Sequence, residues 1–185
     1  MPRTSRLRLL YLSYLSKPVA DRQLYRIIPR QRVATIVELG IGLGRRAVRM
    51  IEAASYLAPI RQISYTGIDL FEARTEADGP GLTLKAAHRL LAGRGARICL
   101  VPGDPFLALA RMANALMGTD LLIVSAGQDP GAMAKAWFYV PRMLHARSLV
   151  YQEVSAGPGG PLALRLLPAD EIARLAAVKR SRIAA

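Results

Sequence analysis

The sequence predicts an α/β domain of three layers, in which helices cover both faces of a mostly parallel central sheet. Three observations predict it. Apolar runs alternate with helix-spaced stretches from residue 33 to residue 154. The runs are apolar almost throughout instead of at every second position, as expected of strands buried on both faces. The first run leads at once into a glycine-rich turn and a helix, an arrangement that lets backbone approach a nucleotide-like ligand without side chains in the way.

Each element has its own signal. Residues 33–37 (VATIV) are β-branched and apolar and read as the first strand. After the glycines, residues 45–55 place Ala47, Val48, Ile51 and Ala54 on one helical face. Residues 63–68 (ISYTGI) form the second strand and end in Asp69; residues 75–81 (TEADGPG) have the composition of a loop. A helix over 82–91 leads to a third strand at 96–101, and a fourth follows at 120–124. A helical stretch over 133–144 carries Trp137 and Phe138 and precedes a fifth strand at 148–154. Residues 161–167 suit one more strand. Residues 169–180 suit a closing helix, with Asp170 and Glu171 placed to favour the positive end of its dipole. Residues 1–32 are expected to form a helical extension packed on a domain of residues 33–185. Their apolar part runs into Lys17-Pro18 with no small-residue cleavage site, so a packed helix is expected there and not a cleaved leader.

The turn itself narrows the ligand. A dinucleotide fingerprint, G-x-G-x-x-G, would need glycine where this chain has Arg45. Here the glycines fall as Gly40, Gly42 and Gly44, with Glu38 two places ahead. A carboxylate at the end of the second strand, Asp69, can accept hydrogen bonds from both hydroxyls of a ribose. The spacing favours an adenosine-type ligand without a pyrophosphate.

The E-x-G-x-G-x-G turn, Asp69, and Gly103-Asp104-Pro105 after the third strand together resemble the class I S-adenosylmethionine-dependent methyltransferases. The resemblance implies a Rossmann-like sandwich and S-adenosyl-L-methionine as cofactor. It places Glu38, Gly40, Gly42 and Gly44 against the methionine moiety and ribose, Asp69 on the ribose hydroxyls, and Leu70 beside the adenine. It places Asp104 at the adenine amine and Ser125, with Ala126, near the transferable methyl. Asp104 also suits the cap of a helix opening at Pro105, and both roles stay open. The family adds a helix and two further strands after the fifth, the last antiparallel. Residues 155–185 are short for that, so a reduced C-terminal sheet is expected.

Departures from the family bear on the chemistry. Metal-dependent O-methyltransferases place an aspartate where this chain has Ser125, and a hydroxyl is a poor substitute on a hard cation, so no metal is expected. Ser125-Ala126-Gly127-Gln128 is also unlike the [D/N]-P-P-[Y/F/W] signature of enzymes that methylate amino groups. Tyr139, Tyr151 and Glu153 are candidates to line an acceptor pocket. No residue is assigned as catalytic, and fold does not specify the acceptor. The expectation is a methyltransferase of unknown acceptor. The alternative is a non-catalytic module that keeps the fold, with a possible RNA association.

Composition agrees with one domain. The chain has 185 residues, 52% of them hydrophobic, and no run of 18 apolar residues. Its net charge of +13 comes from 22 arginines and four lysines, clustered at Arg22–Arg32, Arg45–Arg49 and Lys179–Arg182. Such clusters could engage nucleic-acid phosphates. Aromatics make up only 6%, and the arginine excess fits a compositional bias as readily as a binding surface. Neither His88 nor His145 has a Ser or Cys partner in a recognisable motif, so a nucleophilic triad is not expected. Cys99 is the single cysteine, so a disulfide framework is excluded and a reducing, cytoplasmic compartment is expected.

Overall fold

Alternation along the buried strands sets up two separate cores. In the computed structural model, which describes residues 4–57, 63–155, 157 and 160–177, β1 (Thr35–Leu39) sends Ile36 to one face of the sheet and Val37 and Leu39 to the other. In β4 (Thr119–Val124), Leu121 and Ile123 join the first face and Leu122 and Val124 the second. The side-chain period of two makes this split automatic, and burial on both faces explains the unbroken apolar runs.

Among the described residues the sheet has six strands in the order β3-β2-β1-β4-β5-β6, with β2 at Ser64–Asp69, β3 at Arg97–Pro102, β5 at Leu144–Ser155 and β6 at Leu162–Leu166. The first five strands run parallel, and β6 returns antiparallel along β5, pairing Tyr151 with Leu166 and Ser155 with Leu162. This is the expected mostly parallel sandwich with a shortened C-terminal end. Order reverses between β1 and β4, so their carboxyl ends open the crevice where such sheets take ligands.

The first face is covered by α2 (Arg22–Arg30), α3 (Arg45–Ala54) and α4 (Leu84–Leu91), through Leu24, Tyr25, Ile28, Met50, Ile51 and Leu91. The second is covered by α5 (Pro105–Met112), α6 (Pro130–Ala136) and the C-terminal α8 (Ala169–Ala177), with Leu109, Met133 and Ile172 among the contacts. Ahead of them, α1 (Arg6–Leu10) continues as a wider, π-type turn over Tyr11–Leu15, and Leu12 enters the first core. No helix among the described residues is long and apolar enough to cross a membrane.

Two of the expected elements differ from the sequence reading by more than two residues. The helix expected over 133–144 is two: α6 starts earlier, at Pro130 behind an Asp129 cap, and a short α7 (Val140–Met143) restarts at Pro141. A proline lacks the donor that a continuous helix needs but fits its first turn. The fifth strand begins at Leu144 instead of 148, with a register shift against β4 between Thr119 and Leu121. The closing helix is described to Ala177, and the last residues of the stretch expected to form it lie outside the described ones.

Candidate functional site

The glycine turn is fixed from three sides. The Gly40 amide donates to the Ile68 carbonyl (2.8 Å), the Ser125 amide donates to the Leu39 carbonyl (2.9 Å), and the Gly42 amide donates to Asp69 Oδ2 (2.9 Å). Gly40, Gly42 and Gly44 all have positive φ (88°, 56° and 70°), the region where an L side chain is strained. A Cβ on Gly44 would stand 2.6 Å from Leu90 Cδ2, so this glycine also lets α3 pack on α4. A Cβ on Gly42 would meet only the Pro80 carbonyl, at 4.0 Å. The turn has a further support inside β2. A Cβ on Gly67 would lie 2.3 Å from Ile41 Cδ1, so the isoleucine of the turn occupies the side-chain space that Gly67 leaves.

Asp69 is buried at the end of β2, and its oxygens accept four hydrogen bonds. Arg74 clamps it twice, Nε to Oδ1 and Nη2 to Oδ2 at 2.9 Å each, and the Gly42 and Phe71 amides complete the set. Burial opposes the charge, but the Arg74 guanidinium and the two amides outweigh it and hold the carboxyl below its ordinary range. Phe71 adopts φ 50°, rare for an aromatic residue, while directing its amide to Asp69 and burying its ring. Leu70, half-buried, lies between them. Arg74 also donates to the Asp78 carbonyl, and the Leu82 amide donates to the Gly42 carbonyl, so the loop after β2 lies over the turn.

Glu38 faces the other way, into the first core, and is fully buried. It accepts from Arg46 Nε (2.8 Å) and from the Tyr65 hydroxyl (2.5 Å). The same guanidinium reaches Glu153 (3.0 Å), Asp21 (3.5 Å) and Ser125 Oγ (2.5 Å). One arginine therefore serves three carboxylates. Burial pushes the Glu38 and Asp21 carboxyls above their ordinary range, with Arg46 pulling the other way. Burial also works against the arginine's charge, yet Glu38, Glu153 and Asp21 together keep it protonated. Ser125 donates its hydroxyl proton to the Gly40 carbonyl (2.7 Å), so it ties the turn to β4.

The sequence-derived residues thus fall into three groups. Glu38, Gly40 and Ser125 share the Arg46 cluster, Gly42 and Asp69 are joined directly, and Gly44 packs against α4. Asp104 stands apart on the next loop, where its Oδ1 accepts from the Phe106 and Leu107 amides and caps α5. Glu153 lines a cavity of about 300 Å³ with Ser125, Gln128, Met133 and Trp137. Tyr151 is buried in the first core, and Tyr139 stacks with Phe106 and Phe138. His145 pairs with Asp120 at the opposite end of β4, far along the strand from the turn. Among the described residues, no group of His, Cys, Asp or Glu is arranged to hold a metal ion. Sequence reasoning missed Arg46, Arg74, Asp21 and Gln128. The available signal was Glu38 itself, a charge in an apolar strand that needs a buried partner.

No protein-family model matches the chain, and no curated protein is similar to it in sequence. Solved structures are similar in fold. A methyltransferase from Geobacter sulfurreducens superposes with a TM-score of 0.50 at 20% identity, covering 82% of this chain and 71% of that one. The O-methyltransferase TomG from Streptomyces achromogenes, involved in tomaymycin synthesis and solved in complex with S-adenosylmethionine, gives 0.52 at 13% identity over 76% and 57%. An S-adenosylmethionine-dependent methyltransferase from Agrobacterium tumefaciens gives 0.52 at 12%, over 76% and 44%. The chain spans less than two thirds of the length of the last two. At such identities the likeness is one of fold: this chain has the class I S-adenosylmethionine-dependent methyltransferase fold.

Proposed function

We propose that the chain binds S-adenosyl-L-methionine across the carboxyl ends of β1, β2 and β4 and transfers its methyl group to an acceptor. The observation that carries this reading is the direct bond between the Gly42 amide and Asp69. It sets a glycine turn and a buried carboxylate side by side at the crevice of a parallel sheet. Two flexible side chains have to move: Arg74, which engages both Asp69 oxygens, and Gln128, whose Nε2 lies 2.2 Å from where a Cβ on Gly40 would be.

The cofactor would supply an electrophilic methyl. In this reading Asp69 orients the ribose hydroxyls, with Leu70 flanking the base. Asp104, already at the head of α5, would meet the adenine amine with the oxygen that its cap leaves over. The Gly40–Gly44 turn and the Glu38–Arg46–Ser125 cluster would form the wall behind the methionine moiety. The acceptor would enter through the cavity lined by Ser125, Trp137 and Glu153. Glu153 is engaged by Arg46 and by the Ala126 amide, so its role is to hold this wall, and no general base is assigned. Acceleration would come mainly from alignment, which can supply roughly 7–11 kcal/mol.

Calorimetric titration with S-adenosylmethionine and S-adenosylhomocysteine tests the reading. Micromolar binding that is lost in Asp69→Ala supports it. No binding to the folded wild type refutes it and leaves a module that keeps the fold alone.

A further inference from the structure

The N-terminal helical segment is amphipathic in the wrong sense for a helix packed only on its own domain. Leu7, Leu10, Tyr11, Tyr14 and Leu15 recur at the spacing of one helical face, and all five are exposed, Leu7 at 79% and Leu15 at 67%. Val19, 64% exposed, extends the strip. Inward, the same segment buries Leu12 with two serines, Ser13 and Ser16. Leu9 also packs inward, yet Leu7, Leu10 and Leu15 face out while both serines face in. An apolar strip of this kind on a soluble surface marks an interaction site.

Charge identifies its occupant. Residues 1–20 contain Arg3, Arg6, Arg8 and Lys17 and no acidic residue. Arg6 and Lys17 are exposed beside the strip, while Arg8 and Arg26 stack over Tyr11 and Tyr14. Arg8 also belongs to the wall of a cavity of about 680 Å³ that has an apolar floor and four further arginines, Arg45, Arg49, Arg89 and Arg94. The acidic residue against this wall is Glu52, shared by Arg8 and Arg94. We propose that the segment over residues 6–19 lies in the plane of an anionic membrane surface, its leucines among the acyl chains and its cations, with the arginine-lined cavity, on lipid phosphates. Two tyrosines at the edge of the strip suit that interface. A second copy of the chain fits less well, because a two-fold contact would bring together two copies of a strip flanked by cations, with no acidic residue among residues 1–20 to pair them. Nucleic acid offers no acyl-like surface for Leu7, Leu10 and Leu15.

The full chain is sedimented with vesicles of phosphatidylcholine alone and of phosphatidylcholine mixed with phosphatidylglycerol. Binding is expected to the mixed vesicles only and to weaken with salt. Leu7→Ser with Leu15→Ser should weaken it about tenfold per leucine, and Arg6→Ser with Lys17→Ser about fivefold per cation. All four side chains are exposed, so both pairs should melt like the wild type. The proposal is overturned if folded wild type ignores the mixed vesicles, or if neither pair changes its partition. It is also overturned if the leucine pair abolishes a lipid-free self-association, which would give the strip to a second copy. Retention on bulk RNA, unchanged by the leucine pair and without vesicle binding, would give the cations to nucleic acid and overturn it likewise.

Discussion

Replacing Arg46 by methionine removes the cation that Glu38, Glu153 and Asp21 share while keeping much of the arginine stem's volume. The cost follows from Glu38, which has no exposed surface and cannot turn to water. Without Arg46 it keeps only the Tyr65 hydroxyl. Removing one partner of a buried ion pair costs about 3–5 kcal/mol. Three pairs do not sum, because Glu38 and Asp21 are already raised by burial and can take up protons instead. In a domain of this size the loss corresponds to a fall in Tm of about 6–20 °C. The pH dependence has a definite sign. Loss of Arg46 raises the folded pKa of Glu38 further, so the carboxyl's contribution is fully present below its ordinary value of 4.5 and is lost as pH rises through the folded value. Denaturant unfolding should therefore show a larger penalty at pH 7 than at pH 5. Adding Glu38→Gln to Arg46→Met should restore more than half of the loss. A penalty below about 1 kcal/mol at pH 7, one that grows as pH falls, or no rescue by Gln would refute the reasoning.

Arg74→Ala should expose Asp69 and tighten S-adenosylmethionine binding, read by the same calorimetry; unchanged or weaker binding would show that the clamp does not compete with the ribose. The same variant should flatten acid unfolding, since the lowered Asp69 carboxyl contributes stability above its ordinary value of 3.8 that is lost as pH falls through the folded value. Gly44→Ala has to hold φ 70° and push Leu90 aside, so thermal unfolding should show a loss of about 1–3 kcal/mol. Asp104→Ala removes the α5 cap and should cost about 1 kcal/mol by denaturant unfolding. A drop in cofactor affinity beyond that would give Asp104 its second role.

The parts of the fold legible in sequence are those governed by local rules. Unbroken apolar runs, glycine spacing and the Asp104-Pro105 helix start identified β1 to β4, the turn at Gly40–Gly44 and the start of α5. The break at Pro141 was visible in principle, but Trp137, Val140 and Leu144 keep an apolar helical spacing across it. The site was half legible. Asp69 and the glycines announce themselves through backbone geometry. Arg46, the partner of Glu38, also gathers Asp21 from the N-terminal side and Glu153 from β5, and the pairing of charges so distant in sequence has no local period to betray it.

Gly67 lies outside any glycine motif, in the middle of a strand, yet Ile41 fills the space where its side chain would be. The two positions are therefore locked as a pair. The chain can gain a methyl at 67 only by clearing Ile41 Cδ1 and Cγ1, 2.3 and 2.8 Å from it, so Gly67→Ala should be tolerated beside Ile41→Ala and damaging on its own. Any redesign that treats the turn as three glycines and spares only those will break the site from beneath, through a residue of the neighbouring strand.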